Sequence, residues 1–487
     1  MNPVALTCPA RRHFLRRSTL ALGALGGLGA ALPLTLGSGR ARAAGTGGYR
    51  ALVCIHLDGG NDGLNTVVPT DGGRYAQYAG VRGPLALPQA QLRALAGTDY
   101  GLHPALAPLL PLWQGGRLAP VFNVGPLVQP LTKAQFRAMP ANSALVPDNL
   151  LSHNDQQHLW ASADVRADVV SGWGGRASDA VHSRQPVISC AGNTRFGNAG
   201  LRQALVLPDP GNKFGVYELG NEAWRQRDAA ASARAAALRT LYGQAQANPV
   251  AEALAQSQRE AFAISALLGD AVAAKPGDLP LFAAVDSAFA PLVQDGRIAS
   301  PLGRQLYQVA KMVAARDLIG DARQLFYTQM NRFDTHAQQV DRDDVLAGLH
   351  ADLLGELAQA VAAFDAAMQA IGLADAVTLF TTSDFGRTFA PNQSLGTDHA
   401  WGNLQLVFGG GVRGGATYGQ HPELALGGPD DIGEQPWERQ GRWLPTTGVA
   451  QYAATLLRWW GLDEGQLTEV LPALAAFGGA RDVGFMT

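Results

Sequence analysis

Apolar strand patterns alternate with long helical patterns along most of this 487-residue chain, and the predicted strand ends carry acids and histidines. Such alternation is met by a sheet covered with helices on both faces. The first strand pattern lies in ALVCIHLDGGNDG, residues 51–63, where Leu52, Val53, Ile55 and Leu57 give way to Asp58, Gly59, Gly60, Asn61 and Asp62. The apolar run predicts a buried strand, and the glycines predict a tight turn with exposed backbone amides. Leu118–Gly125, Arg323–Met330, Asp375–Ser383 and Leu404–Gly411 predict four further strands. His350–Gly372 repeats its apolar residues at helical spacing, and Ala223–Lys275 is Ala-rich and helical in pattern with no strand. The expected fold is therefore α/β, with a central sheet between helices and a helical layer or cap inserted at about 223–275. No internal repeat is present.

The N-terminus bounds the compartment. Arg11-Arg12, then Phe14-Leu15, precede a weakly apolar run from Leu20 to Leu36 and a small-x-small site at Ala41-Arg42-Ala43. Gly23, Gly26, Gly27, Gly29 and Pro33 interrupt the run, which makes it a poor membrane span. It reads as a removable twin-arginine export peptide over residues 1–43, followed by a single domain over 44–487. The expected location is the periplasm or the exterior, with the twin-arginine translocase as a partner during export. Residues 1–43 hold six arginines and no acid, which leaves 32 basic against 40 acidic residues in the exported chain. That balance gives no electrostatic grip on nucleic acid. With Cys8 in the leader, only Cys54 and Cys190 remain, so a cysteine-rich metal site is excluded; a disulfide between them is allowed but not indicated by spacing.

Three more acid and histidine clusters stand beside predicted strands. NRFDTHAQQ follows the third strand with Asp334 and His336 two residues apart, a spacing that puts both side chains on one face of extended backbone. SDFGRT ends the fourth strand with Asp384, followed by Arg387. GTDHAWGN places Asp398 and His399 just before the fifth strand. A lone Asp-x-His is more often a capped turn than a ligand pair, but Asp58, Asp334, His336, Asp384 and His399 together form a carboxylate and imidazole set. Without thiolate, such a set suits Zn²⁺, Mn²⁺ or a similar divalent ion, one or two in number.

LLSHNDQQHLW, residues 150–160, adds Ser152 before a short helical pattern. Ser152 is a helix N-cap on motif grounds; alternatively it is a nucleophile at the positive end of that helix. His153 is a ligand, a substrate contact or an ordinary first-turn residue. His158, His182, His350 and His421 are expected to be structural. The acids of Asp341–Asp344 favour the next helix start. GGNDG has the wrong glycine spacing for a dinucleotide turn, and no acid stands at a second strand end about 20 residues on.

The set RRHFLRRS, LDGGNDGLNTVVP, LSH, GWGGR, FDTHAQQ, SDFGRT, GTDH and GGGVRGG resembles the twin-arginine-exported family labelled domain of unknown function 1501, over nearly the whole exported chain. That family is similar in outline to the alkaline-phosphatase and sulfatase superfamily. The resemblance implies a three-layer sandwich with a mostly parallel sheet, strand-end metal ligands and a nucleophile at a helix start. It implies Asp58 and Asp384 on one ion, Asp334, His336 and His399 on the other, and Ser152 in the nucleophile's place. Gly174–Arg176 matches a family motif with no assigned chemistry. The chain departs from the superfamily pattern at Phe385, where a His is usual, and in the short Asp334-Thr335-His336 spacing. The family often carries Glu where Asp384 stands and a second His where Trp401 stands.

The expected activity is metal-dependent hydrolysis of a phosphate or sulfate ester, on a small molecule or a glycan. Ser152 would attack, Arg387 and the metal would stabilise developing charge, and Asn61, Asp62 and His153 would contact the substrate. The alternative is a catalytically silent exported binding or assembly protein that keeps one structural ion, which the missing His at 385 favours. Replacing Arg11 and Arg12 with Lys is expected to leave uncleaved protein in the cytoplasm. Fractionation and blotting check this, and unchanged periplasmic yield and processing would refute the export assignment.

Overall fold

The computed structural model describes residues 48–140, 143–166, 168–183, 185–200, 202–215 and 229–487. Arg11, Arg12 and the cleavage position at Ala43 lie outside these residues, as do 223–228 of the expected insertion. Strands β1 (Arg50–Leu57), β2 (Leu118–Gly125), β3 (Ile188–Ser189), β4 (Leu205–Val206), β5 (Arg323–Met330), β6 (Val377–Ser383), β7 (Asn403–Gly409), β8 (Tyr418–Gly419) and β9 (Thr447–Gly448) share one sheet. Their order is β8-β2-β7-β6-β1-β5-β3-β4, with β9 also on β2. The sheet is mostly parallel. Strand β7 is the exception among the long central strands, because it runs antiparallel to both β6 and β2.

The strand patterns in the sequence coincide with β2 and β5 at both ends. Strand β6 starts two residues later than its pattern, because Ala374–Ala376 forms a short 3₁₀ turn. Strand β7 stops at Gly409, whose φ of +123° turns the backbone away from the pleat.

Helices α1 (Gly72–Arg82), α2 (His153–Ser162), α3 (Trp173–Ala180), α4 (Ala229–Gly243), α5 (Pro249–Ala273), α6 (Pro301–Ala314), α7 (Leu349–Ala370) and α8 (Val449–Trp460) accompany the sheet. The two-residue period of β1 decides which meets which face. Ala51, Val53, Ile55 and Leu57 join a core with Leu268 of α5, Leu306 of α6 and Leu357 of α7. Leu52 and Cys54 join a second core with Trp160 of α2, Trp173 of α3 and Leu456 of α8. Each fully buried Leu or Val removes enough apolar surface to contribute ~1.5–3 kcal/mol. The even-numbered series continues through His56 to Asp58, so both side chains stand on the α2 side of the sheet. Cys54 and Cys190 are buried and unbridged. Among the described residues no helix is long and apolar enough to cross a membrane.

Helix α5, from the region expected to be an inserted layer or cap, ends inside the main core. Leu268, Ala271 and Val272 of α5 are buried there, and Lys311 of α6 donates from Nζ to the carbonyls of Ala271, Val272 and Ala274 at 2.6–3.0 Å. Those carbonyls belong to the helix end, where intrahelical donors run out, so a buried lysine closes it.

Three connections at the carboxyl ends of β1, β5 and β6 are locked by buried polar groups. The Asp62 carboxylate takes a bidentate pair from Arg82 of α1 at 2.7 and 2.8 Å and a bond from Gln339 at 2.6 Å. Gln339 in turn accepts from Thr335 and Thr397. Burial pushes the Asp62 carboxyl upward, but the Arg82 charge and the hydrogen bonds from Arg82 and Gln339 act together with the neighbouring His350 to hold the group below its ordinary value. Removing one partner of a buried pair strands the other charge, at a cost of ~3–5 kcal/mol. Arg82→Met is therefore expected to lower unfolding stability by about that amount in chemical denaturation. The double variant with Asp62→Leu should recover most of the loss; a single variant as stable as wild type would show that the pair does not hold the loop.

Candidate metal centre

The parallel register of β1 and β6 pairs Leu57 with Ser383, so the next residues on each strand, Asp58 and Asp384, emerge side by side. Gly59 and Gly60 make the turn possible. Both have positive φ, and a Cβ at Gly59 would meet the Asp334 nitrogen at 2.3 Å, while one at Gly60 would meet the Phe385 ring at 2.7 Å. Behind Asp384, His56 presents Nε2 at 3.0 Å from Oδ1. The amide of Gln157 on α2 donates to Asp58 Oδ1 at 2.5 Å and to Asp384 Oδ2 at 3.2 Å. Burial, then the neighbouring Asp384 charge, pushes the Asp58 carboxyl up. Burial works the same way on Asp384, but the hydrogen bond from His153 and the close approach of His56 hold it well below the usual carboxylate range.

Strand β5 carries the chain into Asp334 and His336. His399 arrives from the other direction. The ladder between β6 and β7 continues past the strand ends, with Gly386 bonded to Trp401 and Arg387 bridged to His399. Because β7 is antiparallel, the residues before its start lie at the same sheet edge as the carboxyl ends of β1, β5 and β6. Asp334 Oδ1 stands 3.2 Å from Nε2 of both His336 and His399, and those two nitrogens are 2.8 Å apart.

The outer nitrogens fix the tautomers. His399 Nδ1 lies 2.7 Å from the Leu151 carbonyl and His336 Nδ1 lies 2.9 Å from the Asp398 carboxylate, so each Nδ1 carries the proton as donor. Both rings then turn Nε2 toward the other and toward a carboxylate oxygen. That convergence suits a cation, and an imidazole whose far nitrogen donates to oxygen is the usual form of a metal ligand. His153 joins the two groups, with Nδ1 2.7 Å from Asp384 Oδ2 and Nε2 3.4 Å from Asp334 Oδ2. Its hydrogen bond to Asp384, then the charges of Asp384 and Asp334, raise its pKa; burial lowers that of His399.

Two sets of donor atoms could thus hold a divalent ion: His56, Asp58 and Asp384, and His153, Asp334 and His399, the atoms of each set lying within 4.8 Å of one another. The residues fit such an ion. Asp384 Oδ1 is buried and accepts no aligned hydrogen bond, so it has coordination to offer. Oxygen and nitrogen donors without sulfur match Zn²⁺ or Mn²⁺.

The family described as "Protein of unknown function (DUF1501)" matches residues 49–431. The chain belongs to that family. No curated protein matches it. Among solved structures, one titled "Crystal structure of Ps i-CgsB in complex with k-i-k-neocarrahexaose" is 9% identical, over 86% of this chain and 74% of that one, at a TM-score of 0.36. A likeness that low carries no argument about this family member.

Several residues stand elsewhere than the sequence suggested. Arg387, expected at the developing charge, is buried and its N–H groups bond Gly59, Gly60, Phe333 and Thr397 carbonyls and the Asp334 carboxylate. It is a positioning residue. Asp62, expected at the substrate, is enclosed by Arg82 and Gln339, and Asn61 is buried against Thr66 and His350. Neither reaches the donor groups, because both are needed to satisfy buried partners within the loop. Ser152 caps α2 through a long 3.5 Å contact with the Asp155 amide, between His153 and the Leu151 carbonyl that holds His399. Arg176 bonds the Ser162, Ser171 and Val470 carbonyls, a purely structural tie.

His56, Gln157 and Asp398 are the site residues that the sequence reading did not assign. His56 stands two residues before Asp58, the same spacing that singled out Asp334 and His336. Gln157 follows His153 by four residues and so shares its helix face. Zn²⁺ or Mn²⁺ at a hundred times its dissociation constant is expected to add about 2.7 kcal/mol of stability. His399→Ala and His56→Ala should each lose much of the metal-dependent rise in melting temperature, read by thermal scans with and without metal. Variants that respond as wild type does would remove these histidines from the donor sets.

Proposed function

We propose that this protein is an exported, metal-dependent hydrolase of phosphate or sulfate esters, built on an alkaline-phosphatase-like sandwich. The observation that carries the reading is the pair of adjacent donor sets bridged by His153, one with a buried carboxylate oxygen that accepts no aligned hydrogen bond and the other with imidazole nitrogens that converge on a carboxylate. When bound, divalent ions would supply the positive charge that offsets the paired carboxylates and the charge building on the ester. Asp58, Asp384 and His56 would hold one ion, and His153, Asp334 and His399, with His336 Nε2 beside them, the other.

The remaining work falls to the chain. Ser152, at the amino end of α2, is the attacking hydroxyl in this reading, and its weak capping contact costs little to give up. The first-turn amides of α2 favour the anionic group being transferred. Gln157 fixes the spacing of Asp58 and Asp384, while Arg387 fixes Asp334 against the first turn. The missing His at 385 is offset by His56 and His153, which bring imidazole to the same carboxylate.

One observation favours the silent binding protein. The Phe385 ring packs against His153 and His399 at centroid distances of 4.8 and 4.4 Å, so an aromatic wall stands where a ligand is usual. Turnover decides. The metal-loaded protein is expected to hydrolyse 4-nitrophenyl phosphate or sulfate, and Asp384→Asn to lose more than about 100-fold in kcat/KM, beyond the loss typical of outer-shell changes. Ser152→Ala should abolish a covalent phospho- or sulfo-enzyme. Absence of turnover with metal fully loaded would favour the binding protein.

A further inference from the structure

A polar cleft leads away from the first donor set. His56, Gln157 and Thr382 line one end of a cavity of about 160 Å³, whose other end is formed by Asn193, Thr194 and Arg195. Those last three residues also line an adjoining open cavity of about 430 Å³ that runs on past Asn198 and Gln203. The two cavities share a wall and make one groove, which begins at the residue that contacts Asp384.

Its chemistry is selective. Among the described residues no carboxylate lines either cavity, although acids outnumber bases in the exported chain. The lining is rich in carboxamides, including Asn154, Gln157, Asn193, Asn198 and Gln203, groups that both donate to and accept from hydroxyls. Arg195 is the one Lys or Arg among the described lining residues. The Val169 carbonyl lies 2.7 Å from His158 Nε2 and takes its proton, yet Arg195 Nη1 also reaches that carbonyl at 3.3 Å and the same His158 nitrogen at 3.2 Å. Two donors therefore converge on one acceptor. Arg195 is exposed, lines both cavities and makes no ion pair among the described residues. His158 follows Gln157 on α2, which puts this donor pair one helix position from the residue that bonds Asp58.

We infer that the groove binds a sugar ester that carries a second anionic group, a carboxylate, sulfate or phosphate, seated on Arg195. The carboxamides take the sugar hydroxyls, and the guanidinium forms a bidentate pair with the second anion while the ester lies at the donor sets. This goes with the hydrolase reading and names its substrate class.

The test compares N-acetylgalactosamine 6-sulfate with the same sugar linked to a uronic acid, using the full metal-loaded protein. Binding is measured by calorimetry and turnover by sulfate release. Wild type is expected to favour the uronic acid conjugate by about tenfold or more in affinity, with the preference falling as salt rises. Arg195→Gln should bring the ratio of the two affinities close to one, and Arg195→Lys should restore part of it. Equal affinities in wild type, a ratio that survives Arg195→Gln, or no binding of either sugar would overturn the inference. A preference that depends on Arg195 but comes without sulfate release would leave the groove assignment standing and count against the hydrolysis of sulfate esters.

Discussion

The site depends on one buried guanidinium. Arg387 lies with its charge out of water, and five N–H donors in a rigid fork must all find acceptors there. They find carbonyls from three separate connections, the turn after β1, the segment after β5 and the return toward β7. One side chain thereby sets the distance between loops that carry Asp58, Asp334 and His399. The cost of burying the charge is offset only when all three loops are in place, so the carboxylates are held together before any ion arrives. The Asp62–Arg82 pair braces the same turn from its far side.

That pre-assembly creates the electrostatic problem that a cation solves. Asp58 and Asp384 emerge from adjacent strands, and burial raises the cost of ionising both. His336 and His399 turn their Nε2 atoms toward each other because their outer nitrogens are committed to Asp398 and to the Leu151 carbonyl. A bound cation would favour both arrangements. The same outer bonds fix which nitrogen each ring turns to the site, which is why Asp398 belongs to it although it faces no donor set directly.

The fold was legible because burial on both faces leaves a plain trace in the residues. Leu118–Gly125 and Arg323–Met330 are central strands packed on two sides, and their apolar runs end where the strands end. Strand-end acids were legible for a related reason: an acid directly after such a run has its place fixed by the sheet. His56 escaped notice because a histidine inside an apolar run reads as core, and only the pleat reveals that it shares a face with Asp58. Arg387 was misread for the opposite reason. A positive charge near acids suggests substrate contact, and nothing local reports that three carbonyl-bearing turns will close over it.

The residues alone determined which elements form, the order in which they alternate, and the carboxylate and imidazole set that could hold a divalent ion. Period-two and period-3.6 patterns are local properties, so they survive in a linear string. The tertiary structure decided which ends meet. Only the antiparallel setting of β7 brings the residues before that strand to the carboxyl edge of its neighbours, and a parallel strand with the same residues would send His399 to the opposite edge. Strand direction is set by long-range pairing and not by side-chain pattern, and that is why the second donor set could be anticipated in composition but assembled only in three dimensions.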